Sequence, residues 1–296
     1  MRASVVINLR SSGSERHLRH LPGHLAERGI EVDDLITVQG SKLLAKSVKR
    51  LAKRDTEVIL VGGGDGTMMM AANELVHRDT VMGVLPLGTG NSFSQTLGIG
   101  TELPTALDAI AGGRVVSVDL GVVNDIYFVN FATLGLSAEI ADNTAHALKP
   151  VIGPLAYAIG GVMPFLRAKP FKARIKTKDI DLKLDTQQMV IASGRFFGKT
   201  PVLEDASATN GKLAFFTTEG CTHFDVARMY VAFGLGLQNR LPDAHSFYAR
   251  KIKIRADRKV PISLDGNTMC TTPATFRIEP RALRVFVPAG YHDEGK

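Results

Sequence analysis

The stretch Val61-Gly62-Gly63-Gly64-Asp65-Gly66-Thr67 constrains this chain more than any other. It follows the apolar run Glu57-Val58-Ile59-Leu60 and precedes a helical pattern from Met68 to Val76, so it spells strand, glycine loop, helix start. Glycines let the backbone take positive φ and bring its amides against a bulky anion, and the helix N-terminus adds unpaired N–H groups and a favourable dipole. Phosphate is the guest that suits such a cradle. A lone carboxylate inside it is electrostatically costly unless it holds a metal ion or accepts a proton, so Asp65 points to phosphoryl transfer more than to passive anion binding. Two common nucleotide motifs fail on spacing. The P-loop needs a lysine after its last glycine, and the dinucleotide fingerprint needs a glycine where Thr67 stands.

A chain of 296 residues with 45% hydrophobic content can bury a substantial core, and its length favours two modest domains over one. Cys221 and Cys270 are far apart and lack metal-ligand spacing, so neither a disulfide framework nor a zinc site is supported and a reducing cytosol is expected. The apolar run Val5-Val6-Ile7 is too short for a signal peptide and reads as a first strand. The net charge of +7 favours an anionic partner. With no Trp and only 6% aromatic residues, none interleaved with basic ones on a strand, a base-stacking platform is unsupported and no nucleic-acid partner is expected.

Up to about Val123 the pattern alternates. Strands are expected at Ala3 to Leu9, Asp33 to Val38, Glu57 to Val61, Val81 to Leu85 and Val115 to Val123, with helices at Ser14 to Arg28, Ser41 to Arg54, Met68 to Val76 and Leu103 to Ala111. Such alternation implies a mostly parallel sheet with helices on both faces and ligands at the carboxyl ends of its strands. From about Ile126 the texture becomes β-rich, with strands expected at Phe171 to Thr177, Ile180 to Leu184, Gln188 to Ser193, Leu213 to Thr217, Tyr248 to Arg255 and Val260 to Leu264. Helical stretches interrupt it at Leu155 to Arg167 and His223 to Leu237.

Val151 to Leu166 carries no charge but is too short, and too rich in Gly and Pro, to cross a bilayer. Lys149, Arg167, Lys169, Lys172 and Arg174 flank it, which suits either a core helix with solvated neighbours or an apolar face resting on anionic head groups. His17, His20 and His24 share a face if Ser14 to Arg28 is one helix, but without a carboxylate or cysteine companion they read as a solvated face. Met68-Met69-Met70 reads as packing behind the loop.

A second glycine loop, Pro86-Leu87-Gly88-Thr89-Gly90-Asn91-Ser92-Phe93, follows the Val81 strand, and two adjacent loops can wrap one polyphosphate. The pair resembles the diacylglycerol-kinase catalytic domain of bacterial lipid kinases, which sphingosine and ceramide kinases share. The resemblance extends over the whole chain. Asn8 to Gly13 is similar to the family's N-P-x-S-G opening, Asp119-Leu120-Gly121 to its D-[LI]-G strand, Leu264-Asp265-Gly266 to its L-D-G turn, and Glu279 to Pro288 to its closing segment.

The resemblance implies an α/β fold: an N-terminal doubly wound α/β nucleotide-binding domain over residues 1–124, a β-sandwich lipid-substrate domain over 125–280, and a final segment, 281–296, that returns to the first. It implies an ATP- and Mg²⁺-dependent kinase acting on the hydroxyl of diacylglycerol, a sphingoid base or ceramide, peripherally bound to an anionic membrane surface at its cytoplasmic face, with a homodimer left open. By motif match, Thr37, Gly62, Gly63, Gly64, Asp65, Gly66, Thr67, Gly88, Thr89 and Asn91 would contact ATP, Asp65 and Asp119 would hold metal, and Asp65 and Asp265 would be the catalytic carboxylates, Asp265 reading equally as a structural turn residue before Gly266. Lys199, in the run Arg195-Phe196-Phe197-Gly198-Lys199, is a further candidate phosphate contact or an ordinary loop lysine. Three departures stand out: Ser92, Asn210 and Asn267 occupy positions where the family usually carries Asp, Asp and Glu. Less negative charge should weaken a magnesium site. Two other readings stay open, a soluble NAD kinase sharing the first loop and a non-catalytic lipid or nucleotide binder.

Overall fold

The computed structural model describes residues 1–136, 138, 169–197, 200–220 and 222–292. Four parallel strands form its N-terminal half: β1 (Arg2–Asn8), β2 (Glu31–Val38), β3 (Val58–Gly63) and β4 (Val81–Pro86), in the spatial order β2-β1-β3-β4. Every residue of β3 and β4 is buried, as expected where a parallel sheet is covered on both faces. Alternation along β1 decides which face each side chain serves. Val6 packs with Leu44, Val48 and Leu51 of α3 (Ser41–Ala52) and Met68, Met69 and Leu75 of α4 (Asp65–Leu75). Val5 and Ile7 pack on the opposite side, against helices carrying Leu21, Leu25, Leu103, Leu107 and Ile110. The sheet is therefore doubly wound.

The helix expected from Ser14 to Arg28 is two. α1 (Ser14–Leu18) stops and α2 (Leu21–Ala26) restarts with Pro22 in its first turn, because proline lacks the N–H that a continuous helix would need there. The histidines consequently do not share one helical face. The helix after the glycine loop begins at Asp65, three residues earlier than the apolar pattern predicts. α5 (Ser92–Thr96) and α6 (Leu103–Gly112) complete this half.

β5 (Arg114–Val123), β6 (Ile126–Phe128) and β7 (Phe131–Gly135) lead into the second half. There follow β8 (Phe171–Lys176), β9 (Asp181–Thr186), β10 (Gln188–Ala192), the short β11 (Phe196–Phe197) and β12 (Thr200–Pro201), and β13 (Leu213–Thr218). α7 (His223–Gly234) comes next, opened by a reciprocal cap between Thr222 and Asp225. The chain ends through β14 (Ala244–Ala249), β15 (Lys251–Ala256), β16 (Pro261–Leu264), β17 (Asn267–Thr271) and β18 (Ala274–Val287).

One sheet of this half runs β14-β13-β10-β7-β16-β17, and the other, β15-β8-β9, extends the N-terminal sheet through β18, giving the C-terminal β-sandwich. The strand expected from Tyr248 to Arg255 breaks at Arg250: β14 joins one sheet and β15 the other. β18 pairs with β15 at its start and with β4 at Val285, next to Met82. One strand thus belongs to both halves, which fixes their relative placement through backbone hydrogen bonds. Among the described residues, no helix is long and apolar enough to cross a membrane. The Val151 to Leu166 segment, Lys199 and Cys221 lie outside the described residues.

Candidate active site

The register of the parallel strands gathers the loops. Ile7 lies beside both Thr37 and Gly62, and Gly63 lies beside Pro86, so the chain leaves β1, β2, β3 and β4 along one edge. Asn8, at the end of β1, ties these exits together. Its amide nitrogen donates to the Thr67 hydroxyl at 2.9 Å, and its carbonyl accepts the Gly40 amide at 2.9 Å and the Arg10 amide at 3.1 Å. Asn8 is buried, and the sequence reading gave it no role beyond its place in a motif. A polar residue ending a strand before a Ser- and Gly-rich run was the available signal.

The two glycine loops are packed against each other. Leu87 donates its amide to Gly63 at 3.0 Å, and a Cβ on Gly64 would stand 3.2 Å from the Gly88 Cα. A Cβ on Gly88 would overlap the Gly64 backbone and lie 2.9 Å from the Asn91 Oδ1, so glycine is required here by close approach and not by φ. The Asn91 side chain closes the second loop, accepting the Gly88 amide at 2.9 Å and donating to the Gly88 carbonyl at 3.0 Å. Asn91 itself sits at φ 50°, the left-handed region that asparagine tolerates. The Thr89 and Ser12 hydroxyls approach to 3.4 Å across the loop mouth. Thr37 is exposed at the carboxyl end of edge strand β2.

Asp65 occupies the first turn of α4, where backbone amides are unpaired by geometry. Its Oδ1 accepts the Phe93 amide at 2.9 Å, and its Oδ2 would lie 3.1 Å from a Cβ on Gly90. The carboxylate thus reaches from the first loop to the second. Burial raises its pKa above the ordinary carboxylate value, opposed by the amides of Phe93, Ser92 and Asp65 itself.

The second half closes on this turn. A Cβ on Gly66 would lie 3.4 Å from the Asp265 carbonyl and would overlap the Asn267 amide nitrogen, so the turn joining β16 to β17 rests on the start of α4. Asp265 is 3% exposed, at φ 45°. Its oxygens accept three backbone amides, from Val129 at 2.7 Å, Asn130 at 3.1 Å and Phe131 at 3.0 Å. Burial pushes its pKa up to about 7, opposed by the amides of Phe131 and Val129, with the charge of Asp65 raising it further. Such a carboxyl, with both oxygens engaged by backbone, positions the turn. Of its two sequence readings, a second catalytic carboxylate and a structural turn residue, these contacts match the second.

Asp119 also departs from expectation. Its Oδ2 accepts the Gly211 amide at 2.7 Å and its Oδ1 accepts the Arg281 amide at 2.8 Å, which pins β18 and the Asn210 loop to β5. Asp119 and Asp65 share no hydrogen-bond partner, and among the described residues no three His, Cys, Asp or Glu side chains converge as a metal site. Both oxygens of Asp119 accept backbone amides, whereas the Oδ2 of Asp65 faces Gly90 across the gap between the loops, an arrangement that fits a magnesium ion which arrives with a nucleotide and keeps its waters. Arg195 accompanies the second loop, its amide donating to the Thr96 hydroxyl at 3.2 Å.

Comparison with known proteins identifies the family. Residues 2–123 match the model of the diacylglycerol kinase catalytic domain, and residues 131–287 match the model of the YegS C-terminal NAD kinase beta sandwich-like domain. The chain is 30% identical to the probable lipid kinase YegS-like of Klebsiella pneumoniae (strain 342), covering 97% of this chain and 96% of that protein. It is 24% identical to the diacylglycerol kinase of Staphylococcus saprophyticus, covering 99% and 97%. A Bacillus anthracis str. Sterne chain superposes with a TM-score of 0.79 at 19% identity, covering 97% of this chain and 95% of its own. The crystal structure of a diacylglycerol kinase from the same strain gives 0.70 at 17%, covering 97% and 96%. Two family models that together span residues 2–123 and 131–287, and a relative of 30% identity covered over nearly its whole length, show that the chain belongs to the diacylglycerol kinase family.

Proposed function

We propose that this protein transfers the γ-phosphoryl group of ATP to the hydroxyl of a membrane lipid, with diacylglycerol the first candidate and a sphingoid base or ceramide the alternatives. The observation that carries the reading is the Asp65 carboxylate, held at the start of α4 between two loops packed too closely for any Cβ between Gly64 and Gly88. Phosphoryl transfer asks a protein mainly to position its reactants and to neutralise phosphate charge. The glycine loops would supply backbone amides to the phosphates, with the Thr89 hydroxyl at the rim and Thr67, held by Asn8, bracing the first loop from behind. Magnesium, held through Asp65 and the phosphates, would neutralise the charge that develops on the transferred group.

Asp65 would orient the lipid hydroxyl and accept its proton. A carboxylate whose pKa is raised by burial is a stronger base than an exposed one. Asp265 would act at one remove, by fixing the turn that faces α4. Asp119 would hold the final strand against β5. The lipid would approach from the second half, whose 125–280 region we assign to substrate binding, with 281–296 completing the first domain.

The test is turnover of labelled ATP by Asp65→Asn on vesicles containing diacylglycerol. A fall of roughly 10²- to 10⁴-fold is expected for loss of a general base, with ATP binding retained. Activity near that of the unaltered protein removes Asp65 from the mechanism. A second reading, a nucleotide binder without transferase activity, is favoured by Asn267, which stands over Gly66 where the family usually carries glutamate. ATP bound without label reaching any lipid supports that reading, and label in NAD supports a soluble kinase.

A further inference from the structure

The sheet β15-β8-β9 has two unlike faces. Phe171, Ala173, Ile175, Ile252 and Ile254 point into the core, and every second residue points to solvent. On the solvent face the register sets cation beside cation. Arg255 lies opposite Arg174, which lies opposite Lys183, a row of three across all three strands. In the next row Lys253 lies opposite Lys176, with Asp181 beyond it. Lys251 faces Arg277 on β18. Like charges directly opposite one another weaken a sheet, so this pattern works against the fold. Asp181 partly neutralises Arg174 and Lys176, but Lys183, Lys253 and Arg255 form no ion pair among the described residues. Seven exposed cations on the three strands outnumber the exposed carboxylates Asp181 and Asp185, the latter opposite Lys172, and none of the exposed positions is aromatic.

We propose that this face is the electrostatic seat of the protein on a bilayer rich in anionic phospholipid. The choice of a bilayer rests on the lipid-kinase reading above. It is favoured over nucleic acid because a platform without aromatic residues has nothing on which bases stack. Long, exposed lysine and arginine side chains can reach a plane of phosphate groups, and cations near such a surface each strengthen binding by about fivefold.

The experiment compares the full chain with the triple variant Lys183→Gln, Lys253→Gln, Arg255→Gln. Sedimentation is measured with phosphatidylcholine vesicles, with vesicles containing phosphatidylglycerol, and with single-stranded RNA. The unaltered protein should bind the anionic vesicles, lose them as salt rises, and ignore neutral ones. The variant should bind them about 100-fold more weakly while melting at or above the temperature of the unaltered protein. The three residues lie on β9 and β15, in a different sheet from β16 and β17, which carry the turn facing α4, so they stand outside the part of the second half assigned to the lipid, and the variant's rate on short-chain diacylglycerol dispersed in detergent should be unchanged. Should the variant melt lower, Lys183→Gln alone serves, with about a fivefold loss expected. Equal vesicle binding by both proteins overturns the proposal, as does RNA binding as tight as vesicle binding. If vesicle binding depends on the three cations but no lipid is phosphorylated in detergent, the kinase reading fails and the docking surface stands.

Discussion

Gly63→Ala isolates what the glycine loop does. Gly63 has no positive φ, so alanine brings no backbone strain, only a methyl group. That methyl would lie 2.5 Å from Cβ and Cγ2 of Thr67 and 2.8 Å from its hydroxyl. Carbon atoms rest at roughly 3.5 Å, so the shortfall is about 1 Å. Thr67 cannot rotate out of the way, because its Cβ is fixed to the first turn of α4 and its hydroxyl is held by Asn8. The turn itself must retreat, and Asp65 travels with it. Overpacking of this kind costs about 1–3 kcal/mol of stability, whereas a displacement near 1 Å at a phosphoryl-transfer centre costs roughly 10²-fold in kcat/KM. Turnover of labelled ATP on diacylglycerol vesicles, read beside urea unfolding, separates the two. The control is Gly112→Ala, where an added Cβ meets nothing within 4 Å and helix stability should rise by about 0.4–1 kcal/mol. A Gly63→Ala protein that keeps full kcat/KM would refute the idea that the loop's close packing sets the position of Asp65.

Asn267→Glu returns a carboxylate to the turn over Gly66 and should raise kcat, by on the order of 10²-fold if an absent base limits the reaction; unchanged kcat leaves Asp65 as the sufficient base. The raised pKa of Asp65 should set the acid limb of the kcat profile above the ordinary carboxylate range, with activity lost as Asp65 protonates, and Asp65→Asn should abolish that limb. Asp265 keeps its proton in the fold up to about pH 7, whereas the unfolded chain releases it near 3.8. Its contribution to stability is therefore full below about pH 4 and fades as pH rises towards 7. Thermal melts across that window should show the trend, and Asp265→Asn should flatten it; an identical slope in both proteins refutes the assignment. Asp119→Ala strands the Gly211 and Arg281 amides and should cost about 3 kcal/mol in urea unfolding. It should leave magnesium-dependent ATP affinity unchanged, and a loss confined to the magnesium-bound nucleotide would restore Asp119 to the metal site.

Much of this molecule is legible in the sequence because its information is local. A strand pattern running into Gly62, Gly63, Gly64 and Asp65 names a loop at a helix start without reference to anything distant, and the second loop at Gly88 to Asn91 repeats the device one strand later. Apolar periodicity likewise gave the four parallel strands and the helices between them. It failed where a local pattern continues but the backbone must change partners: at Pro22, which divides one apparent helix, and at Arg250, where an unbroken run of strand-like residues passes from one sheet to the other.

The roles of the carboxylates were decided elsewhere. Asp65, Asp119 and Asp265 are alike as letters in motifs, and what separates them is which amides reach them. Phe93 holds Asp65 in the gap between the loops, Gly211 and Arg281 commit Asp119 to a joint, and three successive amides commit Asp265 to a turn. Those donors lie between 28 and 162 residues away along the chain. The sequence by itself determined that a glycine loop with one aspartate opens a helix at the end of a strand, since the strand pattern, the glycines and the helix pattern are adjacent in the chain. Only the tertiary structure decided which backbone amides each carboxylate accepts and how deeply it is buried, because those contacts come from segments that meet only when the sheet is assembled.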